Sequence, residues 1–184
     1  MAENSNHYID NQKFLEYLVK YKEKVADAKE QNLEQPKMPE FLGKCFFDLT
    51  EHMARRSEFI NYSFNDEMRS DARENCIQYW YTFDATKSNN PFGYFSILVW
   101  RAFVRRILKE KKQQYVKYKL TFNSGVLDSR ESLTDSDGNA IVEANLADNM
   151  HDFIQNYEQK MQEKKNLKKI KAAKKNSKPR KVKK

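Results

Sequence analysis

The sequence predicts an all-α protein: a compact helical domain with an N-terminal helix, an acidic linker, a C-terminal helix and a basic tail. Three observations lead there. The 184 residues include only 4 Gly and 4 Pro, and sheets consume such residues at their turns. Along most of the chain the apolar residues recur at helical spacing. Charged residues make up 33% and aromatics 13% of the chain, which leaves long helices joined by short loops as the economical arrangement.

The elements follow in order. Asp10 or Asn11 can cap a first helix, in which Phe14, Leu15, Leu18 and Val25 form the apolar side. Gln31 to Pro39, with Pro36 and Pro39, reads as a linker. A second helix is expected from about Glu40 to Ile60, burying Leu42, Phe46, Leu49 and Met53. After a break at Asn61 to Asn65, a third helix is expected from about Asp66 to Phe83. Its apolar stripe is Met68, Ala72, Cys76, Tyr79 and Trp80, and Glu67, Asp71, Glu74 and Gln78 share a polar face.

Asn90-Pro91 is a cap followed by a first-turn proline, so a fourth helix should start there and extend to about Tyr118. Phe95, Leu98, Val99, Ala102 and Phe103 give it a core face. Tyr94, Ile97, Arg101, Arg105 and Leu108 line up beside that face, so more of the helix is apolar than half-burial requires. Asp137-Gly138-Asn139 signals a turn inside an acidic stretch. A last helix is expected from near Ala147, using Met150, Phe153, Ile154, Tyr157 and Met161. Beyond Lys164 the lysine-rich tail has too little apolar content to fold alone. The expected division is therefore 1–39, 40–120, 121–149, 150–164 and a disordered tail, 165–184.

Net charge is +8, but it is unevenly spread. Residues 101–119 carry a net +7 and 160–184 a net +12, whereas 1–100 and 123–158 are net acidic. Such blocks suggest several charged partners or surfaces. No apolar run approaches the roughly 20 residues of a bilayer span, and Met1 to Asn11 lacks a signal-peptide pattern. Cys45 and Cys76 are too few for a disulfide framework and fit a reducing cytoplasm. His7, His52 and His151 are isolated, so no metal site is expected. There is no Gly-rich phosphate loop and no nucleophile motif. The expectation is a non-enzymatic protein without a cofactor.

Trp80-Tyr-Thr-Phe-Asp-Ala-Thr-Lys-Ser-Asn-Asn-Pro-Phe-Gly-Tyr94, followed by Ala102-Phe-Val-Arg-Arg-Ile-Leu-Lys-Glu110, resembles the late-transcription sigma factors of T-even-type phages. These are divergent relatives of bacterial primary sigma factors. The likeness extends through Tyr118 into Leu127-Asp-Ser-Arg130 and back to Tyr8–Val25, covering most of residues 8–130. It implies an all-helical promoter-reading domain that binds bacterial RNA polymerase core and opens AT-rich, minus-ten-like late promoters in the cytoplasm of an infected bacterial host. It also implies a monomer when free, and is compatible with a phage co-activator.

Residue by residue, the resemblance puts Glu67, Ser70 and Asp71 at positions that dock on a basic-tipped coiled coil of the polymerase's largest subunit; Glu74 and Gln78 extend that face. Tyr94 matches a position that stacks on a flipped non-template base. Arg101, Val104 and Arg105 match positions near the upstream edge of the minus-ten element, and Lys109 and Lys112 continue the cationic run. Where a primary factor has a wedge of paired tryptophans, this chain has Ile97 and Leu98, which predicts weaker unaided melting. Trp100 lies at a different angular position. Asp135, Asp137 and Gly138, within Ser132–Gly138, are similar to the acidic finger that primary factors push toward the active-site cleft. Lys178-Pro-Arg-Lys-Val-Lys-Lys184 lacks the family's clamp-gripping motif, so coupling to a sliding clamp is not expected. Without the resemblance, the acidic stripe reads as a solvated face and Tyr94 as a packing residue. Two other functions then compete: a generic basic nucleic-acid-binding protein, and a polymerase-bound coactivator that does not read DNA.

Overall fold

The computed structural model describes residues 8–125 and 141–176, with side chains in the second stretch at 148–173. Among the described residues there are five α-helices and no strand: α1 (Asn11–Glu30), α2 (Glu40–Ala54), α3 (Asn65–Tyr79), α4 (Pro91–Asn123) and α5 (Ile141–Asn176). A single 3-10 turn, Trp80–Thr82, follows α3. The chain divides into two units, Met1–Lys109 and Glu110–Lys184. The division falls inside α4, and α1 belongs to the first unit together with α2 and α3.

The first unit is organised around phenylalanine. Phe14 of α1, Phe46 of α2 and Phe95 of α4 are buried, with ring centroids 5.8, 5.5 and 4.9 Å apart pair by pair. Each such ring contributes about 1.5–3 kcal/mol by leaving water. Leu18, Leu42, Leu49, Met68, Ala72, Cys76, Val99 and Phe103 complete the same core. The helical periodicity thus selects the core side of α1 to α4 as expected, with three exceptions. Leu15 and Leu98 are only half-buried, and Tyr79 is 43% exposed. Tyr79, Trp80 and Tyr81 are consecutive and cannot all face inward; Trp80 does, against Tyr21 at 4.5 Å.

The helix ends explain the differences from expectation. Asp10 caps α1 by accepting hydrogen bonds from Gln12 N (3.0 Å) and Lys13 N (3.1 Å). Asn11 does something else: its Oδ1 accepts from Phe92 N at 3.1 Å, at the start of α4. Asn32, in the left-handed region with φ 54, closes α1, and Leu33 N donates back to Ala28 O at 2.8 Å. α2 stops at Ala54, not near Ile60. A run of turns follows, and Asn65 Nδ2 donates to the carbonyls of Ala54 (3.1 Å) and Phe59 (2.9 Å). Those bonds satisfy carbonyls that a longer helix would have used and let Phe59 pack on Phe103, with centroids 5.1 Å apart. α3 ends at Tyr79, before the expected Phe83, and the chain tightens into the 3-10 turn.

In the second unit the last part of α4 pairs antiparallel with α5. Tyr115 stacks on Tyr157 (4.5 Å), Tyr118 meets Phe153 edge-on (5.3 Å) and Phe122 lies beside His151 (5.8 Å). Glu158 Oε1 accepts from Tyr115 Oη at 2.8 Å and from Lys119 Nζ at 2.9 Å. These hydrogen bonds, that from Lys119 first, hold the Glu158 carboxyl below its ordinary pKa. Met150 and Ile154 are buried. α5 begins before Ala147, and it also continues past Lys164 to Asn176, where a disordered tail was expected. The physical reason is propensity: Lys165 to Asn176 contains Lys, Leu, Ile and Ala but neither Gly nor Pro. The finger-like Asp135, Asp137 and Gly138, and the tail beyond Asn176, lie outside the described residues.

Candidate nucleic-acid interface

The start of α4 is fixed from two directions. Asn90 Oδ1 accepts from Gly93 N at 2.9 Å, and Asn11 Oδ1 accepts from Phe92 N at 3.1 Å. Two of the donors that every helix start leaves unpaired are thereby satisfied. A Cβ on Gly93 would sit 2.9 Å from Asn90 Nδ2, so the cap depends on glycine there. The preceding loop is closed by Asp84, whose carboxyl is held well below its usual range by the Thr86 hydroxyl and then the Lys87 ammonium.

Tyr94 comes one residue after this anchored turn. Its hydroxyl shares a 2.8 Å hydrogen bond with Thr82 Oγ1, and its ring lies edge-on to Phe83 (5.4 Å) and Phe95 (5.2 Å). One side of the ring is therefore packed, while the residue remains 36% exposed. Beyond it opens a groove of about 600 Å³ between α3 and α4. Six of the eight residues assigned to promoter DNA from sequence line it: Tyr94, Ile97, Leu98, Arg101, Val104 and Arg105. Ile97 is 54% exposed, too much for a core residue. Arg105 Nη2 donates to Asn75 Oδ1 at 2.8 Å, so α3 sets the direction of that guanidinium. Lys109 and Lys112 are exposed and do not line the groove; Lys109 closes the first unit, and Lys112 belongs to the second.

Asn75, Tyr79 and Trp100 line the same groove. The sequence assigned none of them to it. Trp100, 45% exposed, lies on the far side of Ile97 from Tyr94, and α3 supplies the wall that makes both part of one cavity. The available signal was the excess of apolar residues around α4. In chemical terms, three partly exposed rings and two guanidinium groups border an apolar floor. Such a surface can stack bases and neutralise phosphates.

The acidic stripe on α3 divides in two. Glu67, Ser70, Glu74 and Gln78 are exposed, and Gln78 Nε2 donates to Glu74 Oε1 at 3.0 Å. Asp71 is half-buried and its carboxylate accepts from Arg106 Nη1 at 3.2 and 3.4 Å. It is thus engaged within the fold, joining α3 to α4. The neighbouring α2–α3 contact is also ionic: Glu51 pairs with Arg69 (3.6 Å) and with Arg73, and Arg73 Nε donates to the buried Thr50 hydroxyl at 3.2 Å.

Among the described residues no group of three or more His, Cys, Asp or Glu could hold a metal ion. No helix among them is long and apolar enough to cross a membrane. No protein-family model matches this chain, and no curated protein matches it.

Proposed function

We propose that the protein is a sigma-type transcription initiation factor, which binds a bacterial RNA polymerase core and directs recognition and opening of AT-rich, minus-ten-like late phage promoters. The observation that carries this reading is the α3–α4 groove: Tyr94, Tyr79 and Trp100 border it together with Arg101 and Arg105. Duplex opening without ATP must draw its free energy from capture of unpaired bases, and aromatic platforms beside cations supply about 1–3 kcal/mol per stacked base. The resemblance of residues 80–110 to late phage sigma factors supports the same assignment. Trp100 adds aromatic surface near the position where Ile97 and Leu98 replace a tryptophan wedge.

The exposed carboxylates Glu67 and Glu74, with Ser70 and Gln78, are the proposed docking face for the basic tip of the polymerase coiled coil. Asp71 acts on this reading as a brace that holds α3 against α4 rather than as a direct contact. The polymerase performs the chemistry, and the protein supplies promoter choice.

The test is transcription by bacterial core polymerase, with and without this protein, on a template carrying an AT-rich late-type promoter. Specific initiation only in its presence supports the proposal. DNA binding without co-purification with core would point to a generic nucleic-acid-binding protein. Core binding without promoter choice would point to a coactivator.

A further inference from the structure

The second unit carries a charged surface that the groove does not use. In α5, Met150 and Ile154 are buried, and Phe153 and Tyr157 meet α4 on the adjoining side. From residue 160 onward that side changes character. Lys160, Lys164, Lys168 and Lys171 follow one another at steps of four, four and three, which keeps them on one face of a continuous helix. Consecutive Cβ atoms on such a face lie about 5–6 Å apart. All four residues are exposed, and among the described residues no carboxylate lies within ion-pair distance of them. Lys165 and Lys169 point elsewhere around the helix, and the stretch holds one acid, Glu163.

The partner helix adds to this charge. The antiparallel pairs Tyr115–Tyr157, Tyr118–Phe153 and Phe122–His151 set a register in which Lys111 and Lys112 of α4 lie at the same end of the pair as Lys160 and Lys164. Lys111 and Lys112 are exposed as well. The Glu158 clasp on Tyr115 and Lys119 fixes the rotation of α5, and hence where its lysine face points.

We propose that the α4–α5 pair is a second nucleic-acid surface, which binds the phosphate backbone of duplex DNA through the helical stripe Lys160, Lys164, Lys168 and Lys171. A row of regularly spaced, exposed ammonium groups complements a polyanion of regular charge spacing, and release of condensed counterions drives the association. The exposed apolar residues near the stripe, Met161, Leu167 and Ile170, are interspersed among lysines, which favours DNA over a lipid surface, where an amphipathic helix needs a broad apolar face. The stripe belongs to the second unit and its test uses no polymerase, so it survives or fails independently of the proposed promoter function.

The experiment measures binding of the full-length protein, without polymerase, to a fluorescent duplex of arbitrary sequence across a salt series. Lys164→Gln/Lys168→Gln is compared with Lys165→Gln/Lys169→Gln, which removes the same charge from another face. The stripe pair should weaken binding severalfold and reduce the slope of log affinity against log salt by about 1.8, at about 0.9 per phosphate contact. The control pair should leave the slope nearly unchanged. A third variant, Asn166→Pro, interrupts the helix without altering charge and should also weaken binding, with the helix loss read by circular dichroism. Equal losses from the two lysine pairs, or undiminished binding by Asn166→Pro, would overturn the proposal in favour of a flexible tether. Tighter binding to anionic lipid vesicles than to the duplex would overturn the choice of partner.

Discussion

Asp71 separates a bond inside the fold from a bond to a partner, and substitution can tell them apart. Asp71→Asn keeps the shape of the side chain and removes its charge. Its carboxylate accepts from Arg106 Nη1 at 3.2 and 3.4 Å, and the two side chains are 37% and 17% exposed. Hydrogen bonds to charged groups contribute about 1.5–3 kcal/mol when sheltered. With more than a third of the carboxylate side chain in water, screening reduces this to about 1 kcal/mol. For a unit near one hundred residues that corresponds to a fall in Tm of about 4–8 °C. Arg106→Gln should cost at least as much, and the double variant should lose less than the sum of the two, because each single variant already removes the Asp71–Arg106 interaction. Glu67→Gln/Glu74→Gln should instead leave Tm within about 2–3 °C, as surface changes do. That variant should weaken core polymerase binding about tenfold, equivalent to about 1.4 kcal/mol. Thermal melting by circular dichroism and core pull-down at fixed salt provide the two readouts. An unchanged Tm for Asp71→Asn together with lost core binding would refute this division of labour.

Other consequences can be checked with single variants. Asn90→Ala removes the acceptor for Gly93 N and should destabilise the protein by about 1 kcal/mol, measured by urea unfolding. Tyr94→Ala should slow promoter opening on duplex DNA, be partly rescued on a pre-melted bubble, and preserve core binding; Tyr94→Phe should be mild because the stacking surface remains. Burial pushes the thiols up, Cys45 to about 11 and Cys76 to about 12. Both should therefore resist alkylation at neutral pH until the protein is unfolded. The folded protein holds these protons more tightly than the unfolded chain, whose thiols titrate near 9. Stability from this source is complete below pH 9 and is lost as pH rises toward 12.

Local signals made much of this fold legible. Asp10 before Phe14 and Leu18, and Asn90-Pro91 before Phe95 and Val99, are short-range patterns that mark a helix start and its inner face. What escaped the sequence depends on residues far apart in the chain. The end of α2 is set by Asn65 reaching back to Ala54 and Phe59, and no local pattern announces such a cap. Asp71 reads as a free acid until α4 brings Arg106 beside it. Trp100 lies off the core face of α4, yet α3 completes a groove wide enough to include it. The helical extension through Lys165 and Lys171 leaves no mark in the apolar pattern, because it rests on the helix propensity of lysine and alanine.

On the proposed function, this protein gives a polymerase the ability to open DNA at a chosen place. Permanganate reactivity of unpaired thymines tests it most directly, on a duplex carrying an AT-rich late-type promoter, with core polymerase alone and with the protein added. The expected result is a localised patch of reactive thymines at the promoter that requires both proteins and shrinks with Tyr94→Ala. Reactivity that is absent, or identical with and without the protein while the protein still binds DNA by itself, would contradict it.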